Sequence, residues 1–287
     1  MGRWLLSIAS LLLAWWPVAS GTPAAPPHVV FVTGDDEYRS EITMPMLARI
    51  LQERHGYRCT VCYAVNSATG QPEPKFKRNI VGLDALRSAD VAVFYLRYRA
   101  LPPEQMQFIL DYAAAGKPMV GLRTTTHAFL FPKDDAQARW NDGFGLEIFG
   151  QKWLRHHGHD SSTMVSVAVK DHPVCRGLPE EWHARSWLYH VTPLVGDCTP
   201  LLLGAAVKGD KPGGARFGTA NPVAWTKSHC GGRVFFTTLG HPADFENAAT
   251  RRLVLQGIVW ALGKENDIPP SGLDAEPLAP YVAPPTW

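Results

Sequence analysis

From residue 28 to residue 122, short apolar runs alternate with segments whose apolar positions recur every three or four residues. HVVFVTG (28–34) is rich in β-branched residues and ends at glycine, the pattern of a buried strand. SEITMPMLARILQERHG predicts a helix with Ile42, Met46, Leu47 and Ile50 on one face, Pro45 in its first turn and Gly56 as its stop. YRCTVCYAV reads as a second strand, GLDALRSA as a short helix and residues 90–96 (DVAVFYL) as a third strand. Residues 102–116 form a helix opened by proline and closed by glycine, PMVGL is a fourth strand, and Thr124 to Phe129 open a further helix. Because these strands are almost continuously apolar, both of their faces are covered. Strands of that kind, alternating with helices, make a mostly parallel, doubly wound α/β sheet. Ligand sites in such sheets lie outside the carboxyl ends of the strands.

The second half has less regular spacing. Its strand candidates are TMVSVAVK (163–170), PLLLGAAV (200–207), NPVAWTK (221–227) and GRVFFTTL (232–239). Residues 246–263 predict an amphipathic helix with Leu253, Ile258 and Leu262 among its core positions, and Asp244 as the natural N-cap. Beyond it the tail IPPSGLDAEPLAPYVAPPTW lacks periodicity and either wraps the surface or stays disordered. The organisation expected is therefore a leader over 1–20, one domain over 27–264 and a proline-rich tail over 265–287.

The leader rests on Arg3, the apolar run from Trp4 to Trp16 and the small residues Ala19 and Ser20, which together have the layout of a secretory signal peptide. The run is shorter than the roughly 20 residues of a membrane span, so an exported protein, free of the membrane after cleavage, is the expectation. With 28 basic and 26 acidic residues the chain offers no electrostatic reason for nucleic acid to be a partner. Five cysteines leave at least one unpaired. CTVC falls in a strand, where residues three apart face opposite ways, so Cys59 and Cys62 read as packing residues rather than as a redox pair.

Candidate chemistry gathers at the predicted strand ends. After the first strand come Asp35, Asp36, Glu37, Tyr38 and Arg39, more charge than capping a helix requires. Arg97 and Arg99 follow the third strand, and Arg123, Thr124 and His127 follow the fourth. Arginines beside acids at one edge either clamp a hydroxyl-rich or anionic ligand or form a structural ion-pair network. WLRHHGH contains His156, His157 and His159, a spacing that suits acid–base chemistry or, more weakly, a divalent metal. His241 sits between a strand and the last helix, as His127 does. The turn in KPMVGLRTTTHAF occupies the strand-to-helix position where many α/β enzymes hold a nucleophile, yet it presents Arg123 and threonines.

These motifs resemble the ThuA-like (trehalose-utilisation) family. The resemblance is carried by NPVAWTKSHCGGRVFFTTLGHPADFENAATRRLVLQGIVWALG, HPVCRGLP, FGLEIFGQKWLRHHGH, HVVFVTGDDEYRSE and GLRTTTHAF. It implies a class I glutamine amidotransferase-like, flavodoxin-like sheet with extra strands in the second half, and a carbohydrate as small-molecule partner. No cysteine lies between Cys62 and Cys175, so the superfamily's Cys-dependent glutaminase chemistry is excluded. Ser186 and Trp187 stand where many members carry an acidic pair, so any role of those acids does not transfer. The expectation is an exported protein acting on a disaccharide or keto-sugar. In it His127, His157 and His241 are acid/base candidates, and Asp35, Glu37, Tyr38, Arg97, Arg123 and Thr124 are ligand-binding candidates. A sugar-binding module without catalysis and a metal-dependent hydrolase are the alternatives.

Overall fold

The computed structural model describes Met1 and residues 25–286. The signal-peptide reading falls outside the described residues. In chain order the first half contains β1 (His28–Gly34), α1 (Ser40–His55), β2 (Arg58–Ala64), β3 (Ile80–Val81), a 3₁₀ helix (Leu83–Ser88), β4 (Val91–Leu96), α2 (Pro103–Ala114) and β5 (Met119–Leu122). There follow the 3₁₀ turn Arg123–His127, α3 (Trp140–Gly143), the π-helical turn Phe144–Ile148, and then β6 (Arg155–His156), β7 (Ser161–Val167), β8 (Glu181–Ala184) and β9 (Tyr189–His190). The chain continues through β10 (Thr199–Lys208), β11 (Arg216–His229), β12 (Gly232–Thr237), the 3₁₀ turn Pro242–Glu246 and α4 (Ala248–Ala261).

Ten strands form one sheet in the order β3-β2-β1-β4-β5-β12-β11-β10-β7-β8. The run β2-β1-β4-β5-β12 is parallel, and the remaining strands extend it antiparallel at both edges. Counted among the parallel strands alone, the order is 2-1-3-4-5, the flavodoxin-like arrangement, with the chain reversing direction between β1 and β4. This is the doubly wound α/β fold that the apolar strands predict, with extra strands from the second half.

Two apolar layers hold the sheet. One joins Val29, Phe31, Leu47, Leu51 and Tyr95 with the α4 residues Leu253, Leu255 and Ile258. The other joins Val30, Phe94, Ile109 and Phe149 with Trp225 and Phe236. Cys59 packs into the first layer and Cys62 into the second, as strand alternation requires, and burial pushes both thiols up to about 12. All five cysteines are free thiols. Gly121 is the one β5 residue without a side chain for a physical reason: a Cβ there would meet Phe236 at 2.6 Å and Phe149 at 2.7 Å.

Several local expectations change. Pro45 is the sixth residue of α1, inside the helix, because the helix already begins at Ser40 behind the left-handed Arg39 (φ 60°). Ile42 is exposed, and the buried face of α1 instead uses Thr43, Met44, Leu47, Ala48, Ile50 and Leu51. The segment after β5 is a single 3₁₀ turn. Asn247, whose Oδ1 accepts the Ala249 N–H at 2.9 Å, caps α4, and Asp244 lies in the preceding turn. The tail wraps the surface: Ile268, Leu273 and Ala275 are buried, and Arg251 donates to the Ala275 carbonyl (2.6 Å).

Candidate functional site

The loop after β1 lies at the carboxyl edge of the sheet, beside the reversal point between β1 and β4. Asp35 is fully buried. Its Oδ1 accepts the backbone N–H groups of Glu37 (2.7 Å) and Tyr38, and its Oδ2 accepts the Thr124 hydroxyl. Loss of solvent raises the Asp35 carboxyl to about 6 even though these hydrogen bonds work to lower it. Asp35 and Thr124 thus form a strut that ties the β1 and β5 loops together beneath the surface.

Above the strut stands an ion-pair group. Arg97 Nε lies 2.9 Å from Glu37 Oε2, and its Nη1 donates to Asp36 at 3.1 Å. Lys77 pairs with the other Asp36 oxygen. Desolvation raises the Asp36 carboxyl, but Lys77, Arg97 and Arg99 outweigh it and hold the group below the ordinary carboxylate range. Arg99 is fully buried and structural: it donates to the carbonyls of Pro74 (2.9 Å), Phe76 (3.0 Å) and Arg97 (2.8 Å). Arg97 also lies 4.5 Å over the Tyr98 ring.

Arg123 occupies the elbow at φ 41°, a left-handed conformation that costs a non-glycine residue of order 1–3 kcal/mol. Of the four non-glycine residues with positive φ among the described residues, Arg39, Tyr98 and Arg123 all lie at this edge of the sheet. The Arg123 guanidinium is fully buried between the rings of Tyr38 (4.2 Å) and Tyr189 (4.8 Å). It donates to the carbonyls of Thr238 (3.0 Å) and Trp187 (3.5 Å) and to the Tyr38 hydroxyl (3.0 Å), whereas its Nε finds no acceptor. Arg123 therefore fixes Tyr38 and the Trp187 segment from behind. Tyr38, 2 % exposed, is driven up to about 12 by burial and stays a neutral phenol.

The histidines divide at the end of β6. On β6, His156 turns toward the site, where Trp187 lies 4.9 Å away; Trp187 in turn lies 4.3 Å from His159 and 6.5 Å from Tyr38. His157 turns the other way: its ring stacks on His190 at 3.9 Å, and its Nδ1 bonds the Leu188 carbonyl at 3.1 Å. The triplet His156, His157 and His159 consequently does not converge. Among the described residues no group of three or more His, Cys, Asp or Glu side chains can hold a metal ion. The divalent-metal reading thus loses the ligand set that the sequence offered it.

His127 packs against Tyr98 (5.0 Å) and Trp153 (5.6 Å), with its Nδ1 held by Thr126 Oγ1 at 3.0 Å. Burial, reinforced by Arg97 and Arg123, lowers it to about 3. His241 lies 6.0 Å from Tyr38 and uses Nδ1 to accept the Ala243 N–H at 3.1 Å. Burial lowers it to about 4, against the opposing pull of Asp244. Both imidazoles are neutral at pH 7. Asp244, nearly inaccessible, accepts from Ser186 N (3.0 Å), Ser186 Oγ (2.5 Å), Gly240 N (2.9 Å) and His241 N (3.1 Å), and so staples the His241 turn to the segment carrying Trp187. Gly240 is required in that turn because a Cβ would meet Tyr95 Oη at 2.6 Å and Arg123 Cβ at 3.0 Å.

The structure thus brings Glu37, Tyr38, Arg97, His127 and His241 together around Trp187, His156 and His159, places Asp35, Thr124 and Arg123 beneath them, and turns His157 away. Trp187 and Asp244 are the residues whose part the sequence did not disclose. A hollow of about 620 Å³ runs along α2, lined by Leu86, Arg87, Phe108, Tyr112 and Lys117 among others, and contains none of these residues.

A flavodoxin-like domain with its polar cluster at the switch point, and with arginine at the elbow in place of a nucleophile, defines the class. The profile of the ThuA family, described as trehalose utilisation, matches residues 28–261, and the chain belongs to that family. Among solved structures, a ThuA-like protein from Bacteroides uniformis is similar at 17% identity and TM-score 0.59, over 90% of this chain and 99% of that one. A ThuA-like protein from Parabacteroides merdae is similar at 19% identity and TM-score 0.55, over 83% of this chain and 90% of that one. These likenesses show the fold. No curated protein matches in sequence.

Proposed function

We propose that this chain is an exported protein of disaccharide utilisation, taking trehalose or a keto derivative of it at the carboxyl edge of the sheet. The observation that carries the reading is the convergence of six separately positioned segments at one edge of the sheet, carrying Glu37 with Tyr38, Arg97, His127, His156 with His159, Trp187, and His241. That cluster pairs aromatic rings with charged hydrogen-bonding groups, the composition of a small-molecule site. Glu37 and Arg97 hydrogen-bond ligand hydroxyls, Trp187 with His156 and His159 lines a sugar face, and His127 and His241 supply neutral imidazoles. Membership of a family described as trehalose utilisation supports the sugar class. Calorimetric titration with trehalose and its 3-keto form, followed by turnover of the labelled sugars with and without a chelator, tests the proposal. Absence of binding to both would sink it.

A second reading, sugar binding without turnover, is favoured by one observation. His127 near 3 and His241 near 4 hold almost no protons at neutral pH, whereas an efficient general acid or base has a pKa close to the working pH. Saturable binding with no conversion of the labelled sugar distinguishes this case.

A further inference from the structure

His157, which the site does not use, lies face to face with a second imidazole. Its ring stacks on that of His190 at 3.9 Å, with the two planes 9° apart. The pair joins two short strands that lie outside the main sheet: β6 and β9 pair antiparallel, with Arg155 opposite His190 and His156 opposite Tyr189. This ribbon carries His156 and, just before β9, Trp187. His157 fastens it. Its backbone N–H (3.0 Å) and its Nδ1–H (3.1 Å) both donate to the carbonyl of Leu188, the residue after Trp187.

The stack suits neutral rings. Because Nδ1 donates to a carbonyl, the neutral His157 ring carries its proton there, and a second proton goes to Nε2. That nitrogen is buried and has no partner. The β11 backbone closes it in: a Cβ on Gly218 would stand 2.9 Å from Nε2, and Phe217 meets the ring edge-on at 6.0 Å. An imidazolium there presents a charged N–H to no acceptor. The surrounding charges oppose it further. Arg155 and His156 face the pair from β6, and Lys208 of β10 lies 4.6 Å over the Phe217 ring, while Arg216 on β11 is paired with Glu181. Among the described residues neither ring pairs with a carboxylate. Burial holds His190 below the ordinary histidine range, and His157 and Arg155 lower it further. Two unit charges 3.9 Å apart disfavour double protonation about six-fold in water, and on the order of a thousand-fold at an effective dielectric of about 20.

We infer that the His157–His190 stack is an acid-released fastener of the ribbon carrying His156 and Trp187, closed while both rings are neutral and opened when both take up protons. The open ribbon binds more protons than the closed one, so closure is complete above the ordinary imidazole value of about 6.5 and weakens as pH falls below it. Opening frees Trp187 and His156 from their fixed places, which weakens the site in acid, a consequence that rests on the sugar-site reading above.

The test is hydrogen exchange of the full chain at pH 7.5 and pH 5.0, corrected for intrinsic exchange rates, in wild type, His190→Phe and His157→Phe. Protection of residues 155–160 and 186–191 in wild type is expected to fall at least about ten-fold at pH 5.0, with β1 and β4 unchanged. Phenylalanine keeps an aromatic face and takes no proton, so either variant should hold its protection within about two-fold between the two pH values. Wild-type protection that does not change with pH, or an acid loss that persists in both variants, would overturn the inference. If neither variant folds, imidazole titration of wild type by NMR decides: two separated, coupled steps for the pair support the fastener, and two independent titrations refute it. Calorimetry with trehalose at the same two pH values reads the consequence, at least about five-fold weaker binding at pH 5.0 in wild type and a smaller loss in His190→Phe. Absence of trehalose binding at both pH values sinks the sugar site and leaves the fastener to stand or fall on the exchange result.

Discussion

Asp244→Asn isolates the staple that sets the geometry of the cluster. The native carboxylate is almost inaccessible and accepts four hydrogen bonds, two from Ser186 and one each from the Gly240 and His241 backbone N–H groups. Hydrogen bonds to a charged acceptor contribute roughly 1.5–3 kcal/mol each. An asparagine keeps one acceptor oxygen, and however its amide is set, its NH₂ confronts at least one backbone N–H. The cheaper setting gives up the Ser186 N–H and keeps the Gly240–His241 pair, so the loss is about 2–4 kcal/mol. In a domain of this size each kcal/mol lowers Tm by roughly 2–4 °C. Urea unfolding should therefore show a lower midpoint at unchanged slope, and Asp244→Ala, which leaves all four donors without an acceptor, should cost more than Asn. Ligand affinity should fall in both variants, since His241 and Trp187 lose their common anchor. Variants within about 0.5 kcal/mol of wild type, or Ala no worse than Asn, would refute the staple.

Other consequences follow from burial and close approach. For His127 the folded value of about 3 lies below the unfolded 6.5, so unfolding takes up a proton between these limits; its stabilisation is complete above about pH 6.5 and lost as pH falls toward 3. His127→Gln should remove up to about 1.4 kcal/mol per pH unit from the acid-side slope, read from urea midpoints between pH 6 and 4. Asp35 works in the opposite sense: its folded value, raised to about 6, makes its contribution fullest below pH 3.8 and lost as pH rises through 6. Thr124→Val withdraws a donor from that carboxylate and should cost about 1–3 kcal/mol, measured by the same unfolding titration. Gly121→Ala forces a methyl into Phe236 and Phe149 and should cost about 1–3 kcal/mol, with thermal melting as the check.

Much of the architecture is legible in the sequence because the parallel strands are apolar on both faces. HVVFVTG and VAVFYL announce themselves without any knowledge of their neighbours, and β1 spans His28–Gly34 as read. The strands of the antiparallel extension are less visible. β11 runs for 14 residues and is mostly exposed before Asn221, so its first half carries no run of buried apolar residues. β6 and β9 have two residues each, too few for a period, and His157 lies just beyond β6, so the sequence could not reveal that His156 and not His157 meets Trp187. At the site, residues at strand ends were identifiable by chemistry, but their depth was not. Asp35 and Thr124 meet across 89 positions of chain, and only that meeting turns two polar side chains into a buried strut. Trp187 carried no signal of its own, because an aromatic ring stands where an acid was the expected functional residue.

The central claim is that the carboxyl edge of the sheet, and not the hollow between the 3₁₀ helix and α2, is the sugar site. Calorimetric titration of trehalose into wild type, Arg97→Gln and Arg87→Ala compares the two directly. Arg97 pairs with Glu37 in the cluster, and Arg87 lines the hollow, 4.8 Å over the Phe108 ring. The account predicts saturable binding by wild type, unchanged in Arg87→Ala and weakened at least about ten-fold in Arg97→Gln. Binding that survives Arg97→Gln and is lost in Arg87→Ala would contradict it.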